Sequence, residues 1–432
     1  MANILFLYNA TQTYTQTVFE HLQSFSNFSR HTYHFLHISD TTHCTIDLSL
    51  YDGLALHYTV RLPFDQVSEG WAETITAFQG HKALFIQDEY DFTKRVWYWL
   101  DRLKFDTLFT VVPEKNMTRV YPVDVLPNIS RVNVLTGYVP QELPSLDAIK
   151  PPSARPLLVA ARGRALPPRY GKLGEEKLQI GKMVRTYAKE HGHPVDIEWS
   201  EKARIYGDRW YPFVASSRAT LGTESGSNIF DWDGDMQRRI DEVQRSHKSL
   251  SEAQIMARLG FKDEDGLMNQ ISPRVFEAIS LRTVLVLFEG AYSGILEPHK
   301  HYYPLAKDGS NLTEVFTALQ DGALLDAMAE RAYDDVIKSG RWSYEAFITV
   351  VDDNTPLSVE TNDLMLQTNV TANPIKALPP VMTVSQLVKV FRLLGQYSLK
   401  QKVMAFVTFP GRFLPIWLKD MLRPIVKRLF KV

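Results

Sequence analysis

The sequence predicts an α/β protein of two doubly wound domains that face a cleft, followed by a helical C-terminal tail. Short apolar runs alternate with helix-like stretches on both sides of a proline-rich break, and such alternation is typical of parallel sheets covered by helices. The chain of 432 residues also exceeds what one hydrophobic core usually serves. We expect domains over residues 1–150 and 151–340, a helix in 341–360 that returns to the first domain, and a linker and tail over 361–432.

The first domain is predicted from its apolar runs. Strands are expected at Ile4 to Tyr8, Leu54 to Tyr58, Ala83 to Ile86, Leu108 to Val111 and Val132 to Leu135. Helices are expected between them at Thr15 to Ser24, Trp71 to Phe78 and Phe92 to Leu103. Five prolines between positions 140 and 156 then indicate an interdomain linker.

The second domain repeats the alternation. Strands are expected at Leu157 to Ala161, Val195 to Trp199, Ala219 to Gly222, Val284 to Phe288 and Tyr302 to Leu305. The expected helices are Glu175 to Glu190, Asp208 to Ser217, Pro273 to Leu281, Asn311 to Leu319, Leu324 to Lys338 and Tyr344 to Val350. The charged stretch Gln237 to Gly266 is interpreted as a helical insertion, and the polar stretch from Asp352 to Pro380 as a strap or linker.

Charge and cysteine content exclude several classes of protein. Lys and Arg total 48 against 49 Asp and Glu, so a nucleic-acid partner has no bulk electrostatic support. The single cysteine, Cys44, excludes an intrachain disulfide framework and fits a reducing compartment. We found neither a secretory signal nor a membrane-spanning apolar run, and we therefore expect a cytoplasmic protein.

The strongest motif is the segment Ser272-Pro273-Arg274-Val275-Phe276-Glu277-Ala278. Proline favours the first turn of a helix, which places Arg274 near an N-terminus that attracts anions. Glu277 lies three residues on and therefore on the same face. The pair could hold a phosphate and two hydroxyls of a nucleotide, or it could be a surface ion pair on an amphipathic helix.

The run from Ile271 to Phe347 resembles the donor-binding region of GT-B glycosyltransferases, closest to the bacterial group-one and CgeB-like branch. In that region a Phe-Glu-Ala helix precedes a strand, a glycine loop and a second strand. The resemblance implies two Rossmann-like domains, with the donor held mainly by the second. Glu277 would grip the donor ribose, while Arg274 and the loop at Gly290 would lie beside the diphosphate and sugar. Asn269 stands where retaining members often carry a second glutamate, so the stereochemistry is open.

A basic loop follows the first strand of the second domain. It contains Arg162, Arg164, Arg169, Lys172 and Lys177, at the strand end where open α/β sheets bind ligands. Similar families use an arginine and a lysine here to neutralise diphosphate charge, and Arg164 and Lys177 are the candidates. A solvated basic loop is the alternative.

Two further stretches are weaker candidates. Ser225 and Gly226 offer free backbone amides for a phosphate or sugar. Asp231, Asp233 and Asp235 could hold Mg²⁺ against a diphosphate, but the resemblance implies that protein cations do this work. We therefore predict no metal and no cofactor besides the nucleotide-sugar substrate.

The catalytic base is expected on a strand end of the first domain. An inverting transfer needs a base that deprotonates the acceptor hydroxyl, and His57, Asp88, Glu89 and Asp91 all follow predicted strands. Asp88 ranks first. Such carboxylates also cap the helix that follows, so each has a structural alternative.

Basic and apolar residues are interleaved from Arg412 to the C-terminus. Such a segment suits the surface of an anionic membrane, although a helix docked on the protein itself fits the same pattern. Membrane attachment would suit transfer to a glycan or lipid-linked acceptor in bacterial envelope polysaccharide or lipopolysaccharide synthesis. The rival interpretations are a nucleotide-sugar epimerase of the same fold and a non-catalytic two-domain binding protein.

Overall fold

The computed structural model describes residues 1–142, 149–205, 209–357 and 365–377. Residues 1–9 and 20–374 belong to one compact unit, which contains both sheets. Residues 10–19 and 375–377 belong to a second unit, in which the Thr13 hydroxyl donates to the Ile375 carbonyl over 2.7 Å.

The first sheet contains six parallel strands. They are β1 (Asn3–Tyr8), β2 (Thr32–His37), β3 (Gly53–Leu56), β4 (His81–Ile86), β5 (Thr107–Thr110) and β6 (Ser130–Asn133). Their order across the sheet is β2-β1-β3-β4-β5-β6. The helices in this part of the chain are α1 (Gln16–Phe28), α2 (Glu69–Ala77), α3 (Thr93–Leu103) and α4 (Met117–Val120).

The second sheet contains five parallel strands. They are β7 (Leu157–Arg162), β8 (Val195–Glu198), β9 (Ser217–Gly222), β10 (Val284–Phe288) and β11 (Tyr302–Leu305), in the order β8-β7-β9-β10-β11. The helices are α5 (Gly171–Glu190), α6 (Trp210–Val214), α7 (Met236–Ser246), α8 (Glu252–Leu259), α9 (Pro273–Ser280), α10 (Leu312–Ala318) and α11 (Gly322–Ala332). A π-helical turn, Tyr333–Lys338, continues α11.

Both sheets have the same winding. In each, the chain adds the second strand on one side of the first and then crosses to the other side for the parallel strands that follow. Strands buried on both faces must be apolar throughout, and all five residues of β10 are buried. The prediction of two Rossmann-like α/β domains is confirmed.

The chain returns to the first sheet after α11. Helix α12 (Tyr344–Asp353) places Phe347 against Tyr138, with ring centroids 4.7 Å apart, and at 5.8 Å from the ring of Phe25. A two-residue strand, β12 (Val370–Thr371), pairs antiparallel with β2. The strap predicted after Asp352 therefore contributes an edge strand, which its polar composition concealed.

The C-terminal tail from Arg412, with its predicted helix and membrane surface, lies outside the described residues. Within the part of the chain that the structure describes, no helix combines the length and apolar character needed to cross a bilayer.

A single arginine fixes the end of the linker. Arg155 is 2% exposed, and its guanidinium donates to the carbonyls of Ser217 and Leu281, both over 2.8 Å, and to the Thr283 hydroxyl over 2.7 Å. These partners precede β10 or begin β9. The linker is thus anchored at the amino ends of the central strands.

The segment between β9 and α9 reaches across to the first domain. The Asp231 amide donates to the Tyr90 carbonyl over 2.8 Å, and the Lys94 amide donates to the Trp232 carbonyl over 2.9 Å. Further along, the Thr136 hydroxyl donates to the Ile271 carbonyl over 2.8 Å. These contacts flank the predicted insertion, Gln237 to Gly266, on both sides, and they link the carboxyl edge of the first sheet to the second domain.

Candidate functional site

A cavity of about 390 Å³ opens at the carboxyl ends of β7 and β9. These are neighbouring strands at which the strand order of the second sheet reverses, and open α/β sheets bind ligands at that point. The volume lies within the range of about 300–1,000 Å³ usual for small-molecule sites. Its wall includes Arg164, Lys177, Trp199, Trp210, Ser225 and Arg274.

Three predicted cations converge on this cavity. Lys177, from α5, donates from Nζ to the Ser225 hydroxyl over 3.3 Å. Burial, followed by the positive charges of Arg164 and Arg274, lowers the pKa of Lys177 to about 8. The ammonium group therefore lies within electrostatic range of both guanidinium groups, and the cavity wall is strongly positive.

The first domain contributes a carboxylate, Asp88, that acts electrostatically on Lys177. Asp88, which follows β4, acts in the opposite direction on the pKa of Lys177 and raises it. Its side chain is 55% exposed, and Arg61 lies 3.8 Å away. Asp88 is thus an accessible carboxylate close to the cation cluster.

Glu277 and Arg274 share one face of α9, as predicted, and both contact Trp210. The indole Nε1 donates to Glu277 Oε2 over 2.7 Å, and the Arg274 guanidinium carbon lies 4.9 Å from the centroid of the indole ring. Burial raises the pKa of Glu277, while the indole hydrogen bond and Arg274 oppose this rise. The structure therefore brings Arg164, Lys177 and Arg274 together in the wall of one cavity. Glu277 is bonded to Trp210 of the same wall.

Gly226 and Gly290 are positioned by packing. Gly226 has a φ of +103°, and a Cβ there would lie 2.1 Å from the Met268 carbonyl. A Cβ at Gly290 would lie 2.8 Å from the carboxylate of Glu224, which accepts from the Tyr292 amide over 2.9 Å. Of the predicted small residues, Ser225 lines the cavity, whereas Gly226 and Gly290 do not.

His57 does not lie on an accessible strand end. It is fully buried, and its Nε2 lies 3.0 Å from Nδ1 of His21 while its Nδ1 lies 3.0 Å from the Thr59 hydroxyl. Burial, followed by the neighbouring His21, lowers the pKa of His57 well below its usual range. The expectation of an accessible base at position 57 is corrected: the ring packs in the core, where an acceptor hydroxyl cannot reach it.

Glu89 is buried as well. Its Oε1 accepts from the Thr110 hydroxyl over 2.7 Å and from the Val111 amide over 3.0 Å. Its Oε2 and the hydroxyl of Tyr121 are buried without a hydrogen-bond partner. Burial raises the pKa of Glu89 to about 7, despite the hydrogen bonds from Thr110 and Val111. As with His57, the expected access to an acceptor is absent, because the preceding strand turns this side chain inward.

Asp91 is the second reachable carboxylate at this edge. It lies 3.4 Å from the guanidinium of Arg61, and its side chain is 27% exposed. Burial raises the pKa of Asp91 to about 6, with Arg61 opposing the rise and Asp88 adding to it. Asp88 and Asp91 thus form a carboxylate pair beside Arg61.

The aspartates of the Asp231-Trp232-Asp233-Gly234-Asp235 segment separate. Asp231 accepts from the Met236 amide over 3.2 Å at the start of α7, and Asp233 pairs with Lys94 at 2.6 Å. Asp235 pairs with Arg238 at 3.1 Å. Throughout the described ranges, no group of three His, Cys, Asp or Glu residues is placed to hold a metal ion.

Trp210 is the site residue that sequence reasoning missed. An aromatic residue at the start of a short helix has the same signature as core packing. The available signal was the basic Arg162–Arg164 loop together with Arg274, since cations beside an indole often stack on it.

No protein-family model and no curated protein matches the sequence. Among solved structures, TarM is similar with a TM-score of 0.36 and 11% identity, over 70% of this chain and 54% of TarM, about half its length. An alpha-glucosyltransferase in complex with UDP has a TM-score of 0.47 and 10% identity, over 82% of this chain and 99% of that one. Sucrose-phosphate synthase from Thermosynechococcus elongatus has a TM-score of 0.42 and 10% identity, over 82% and 98%. Because these identities and TM-scores are low, the fold is assigned from the strand order described above. The function is argued from the residues of the site.

Proposed function

We propose that the protein is a GT-B glycosyltransferase that transfers a sugar from a nucleotide-sugar donor. The observation that carries the proposal is the convergence of Arg164, Lys177 and Arg274 on the cavity at the reversal point of the second sheet. The Glu277 carboxylate adjoins this cavity through its hydrogen bond with Trp210. A nucleoside diphosphate has complementary chemistry, because its phosphates are anionic and its ribose presents hydroxyls.

The cations supply the electrostatic part of the reaction. Breaking the bond between sugar and diphosphate leaves negative charge on the departing phosphate, and fixed positive groups stabilise that charge. Arg164, Lys177 and Arg274 have this role in the proposal, which makes the transfer independent of a metal ion. Glu277 binds the ribose and fixes the donor in the cavity.

Asp88 is the proposed base. It is exposed, it follows β4 of the first domain, and its charge acts on Lys177. A carboxylate at this distance from the cation cluster can take a proton from an acceptor hydroxyl that approaches from the first domain. Asp91 lies beside it and shares Arg61.

The acceptor is proposed to be a glycan or a lipid-linked glycan of the bacterial envelope, with the protein in the cytoplasm at the inner face of the membrane. The basic and apolar residues from Arg412 onward support this part of the proposal. Deleting them should abolish co-sedimentation with liposomes of anionic lipid, and unchanged sedimentation would remove the membrane from the proposal. The proposal includes no nucleic-acid partner.

Thermal unfolding in the presence of uridine, guanosine, adenosine and thymidine diphosphates tests the donor site. Binding to the native state alone stabilises a protein by about 2.7 kcal/mol at a hundred times Kd, so one base should raise Tm at millimolar concentration. The matching nucleoside without phosphates is the control ligand, and Glu277→Ala should reduce the shift. If no diphosphate raises Tm, the proposal fails.

A second assay separates the transferase from the epimerase. Donor incubated with the protein alone should keep its sugar configuration. Nucleoside diphosphate should be released faster when an acceptor is added. Isomerised donor in that incubation would favour the epimerase.

A further inference from the structure

The cavity of the second domain has an aromatic side chain in its wall that the phosphate chemistry does not use. Trp199, which directly follows β8, is half-buried and borders this cavity. The guanidinium carbon of Arg185, a residue of α5, lies over the indole at 5.0 Å from the ring centroid, and Arg185 pairs with Glu198 at 3.0 Å. The indole is therefore held against α5, and it also faces open space.

Trp199 lies close to the cations assigned to the diphosphate. A Cβ at Gly181 of α5 would lie 3.8 Å from Cε3 of Trp199, and Gly181 follows Lys177 by four residues, on the same face of the helix. Four residues of helix span about 6 Å. A Cβ at Gly163 would lie 3.8 Å from Cβ of Trp199 and 2.9 Å from the carbonyl oxygen of Lys177. The indole and the backbone of Lys177 thus border one cavity about one helical turn apart.

Several classes of ligand carry phosphates, and an aromatic side chain in the wall distinguishes among them. Fixed cations attract pyrophosphate, a phosphorylated sugar and a nucleoside diphosphate alike. The nucleoside diphosphate alone carries a planar base, and a base that stacks on an aromatic side chain gains affinity because every base has a π-face. The ribose that joins the base to the first phosphate spans a distance similar to one helical turn. An indole at this distance from Lys177 therefore suits the base of a nucleotide.

We infer that the base of the donor nucleotide stacks on Trp199 while the diphosphate lies at Lys177. The inference rests on the proposed function and extends it, because it assigns the base to a side chain of the cavity wall. It also narrows the class of ligand, since a site that gains affinity from a stacked ring selects nucleotides over bare diphosphates and sugar phosphates.

Isothermal titration of the full-length protein with UDP, GDP, ADP and dTDP, and with pyrophosphate, tests the inference. The nucleotide that binds the wild type most tightly should bind Trp199→Ala about fivefold or more weakly, because a stacked base contributes affinity of this size. Pyrophosphate has no ring, and its Kd should agree within about twofold between the two proteins. Trp199→Phe keeps an aromatic ring and should bind the nucleotide within about threefold of the wild type.

Tyr98→Ala is the matched control, because it removes an aromatic side chain of α3 that is 54% exposed, and it should leave the nucleotide Kd unchanged. Wild-type nucleotide affinity in Trp199→Ala would overturn the inference alone. An equal loss for nucleotide and pyrophosphate, or a loss in Trp199→Phe as large as in Trp199→Ala, would overturn it as well, because the ring would then not bind a base. If no nucleoside diphosphate binds the wild type, the proposed function fails and the inference fails with it.

Discussion

The parallel strands of the two sheets are wound in the same way, but the carboxyl edges of the sheets differ. In the second sheet, the strands at the reversal point border a cavity of about 390 Å³ whose wall includes Arg164, Lys177 and Arg274. In the first sheet, a cavity beside the ends of β3 and β4 measures about 10 Å³, roughly the size needed for one water molecule. The same winding therefore borders a ligand-sized cavity in the second sheet and a much smaller cavity beside β3 and β4 of the first.

Side chains explain this difference. At the first edge, His57 and Glu89 turn inward and fill the ends of the strands with buried polar groups. At the second edge, the side chains of Arg164 and Lys177 border open space. The topology fixes where a site can form, whereas the residues after each strand decide whether it is open.

The largest expected effect is on turnover. Replacing Asp88 by Asn should lower kcat by about a hundredfold or more, because a positioned base contributes about 10²–10⁴. Donor affinity should change little. Release of nucleoside diphosphate from the donor measures the rate, and Asp233→Asn, an exposed aspartate paired with Lys94, is the control. Full activity of Asp88→Asn would mean that the first edge supplies no base at this position.

The second prediction concerns nucleoside diphosphate binding at the second edge, where Lys177 is one of the cations of the cavity wall. Lys177→Ala should weaken nucleoside diphosphate binding by about a hundredfold, since it deletes a charge-assisted contact in a partly desolvated wall. Titration calorimetry measures the loss. Lys182→Ala, an exposed lysine on the same helix, should stay within about twofold, and an equal loss in both variants would contradict a specific role for Lys177.

Glu89 should matter for stability. Its pKa is raised to about 7 from a usual 4.5, so ionisation in the native state becomes unfavourable as pH rises between these values. The cost, about 3 kcal/mol, is fully present above pH 7 and absent below pH 4.5. Glu89→Gln cannot ionise, so its unfolding free energy relative to wild type should rise by that amount between pH 4 and pH 8. Denaturant titrations of both proteins at the two pH values measure it, and a difference independent of pH would contradict a buried, ionisable carboxyl.

The smallest effect concerns the pH dependence of donor binding. The pKa of Lys177 is lowered to about 8, so the unliganded protein loses this charge as pH rises through 8. Diphosphate affinity should then fall by up to about tenfold per pH unit. Lys177→Arg keeps its charge and should flatten the profile between pH 8 and pH 9.5, whereas parallel profiles would assign the titration to another group.

Much of this fold can be predicted because buried parallel strands are continuous apolar runs. Strands β10 and β11 begin and end where the sequence predicts. Strand β2 escaped prediction because its sequence, Thr-Tyr-His-Phe-Leu-His, is interrupted by polar residues and forms no continuous apolar run. Pairing with β1 and with β12 buries it nonetheless, and such tertiary contacts are invisible in a local pattern.

The site divides in the same way. The cations of the loop after β7 and the pair on α9 could be predicted, because strand ends and helical spacing determine their direction. The burial of a side chain at a strand end could not be predicted. His57, Glu89 and Asp88 therefore appeared equally suitable as the catalytic base. The position of Trp210 in the site depends on the contact of α6 with α9. The local sequence pattern does not predict that contact.

The return of α12 to the first sheet has a consequence for biosynthesis. Domains commonly fold in order as they leave the ribosome, but the first domain here lacks Phe347, which packs on Tyr138 and Phe25, until residue 347 has been made. The second domain is complete by then. The apolar face of the nascent first domain would stay uncovered through about two hundred residues of further synthesis, from residue 150 to Phe347. The second domain can therefore finish folding before the first, although it is synthesised later.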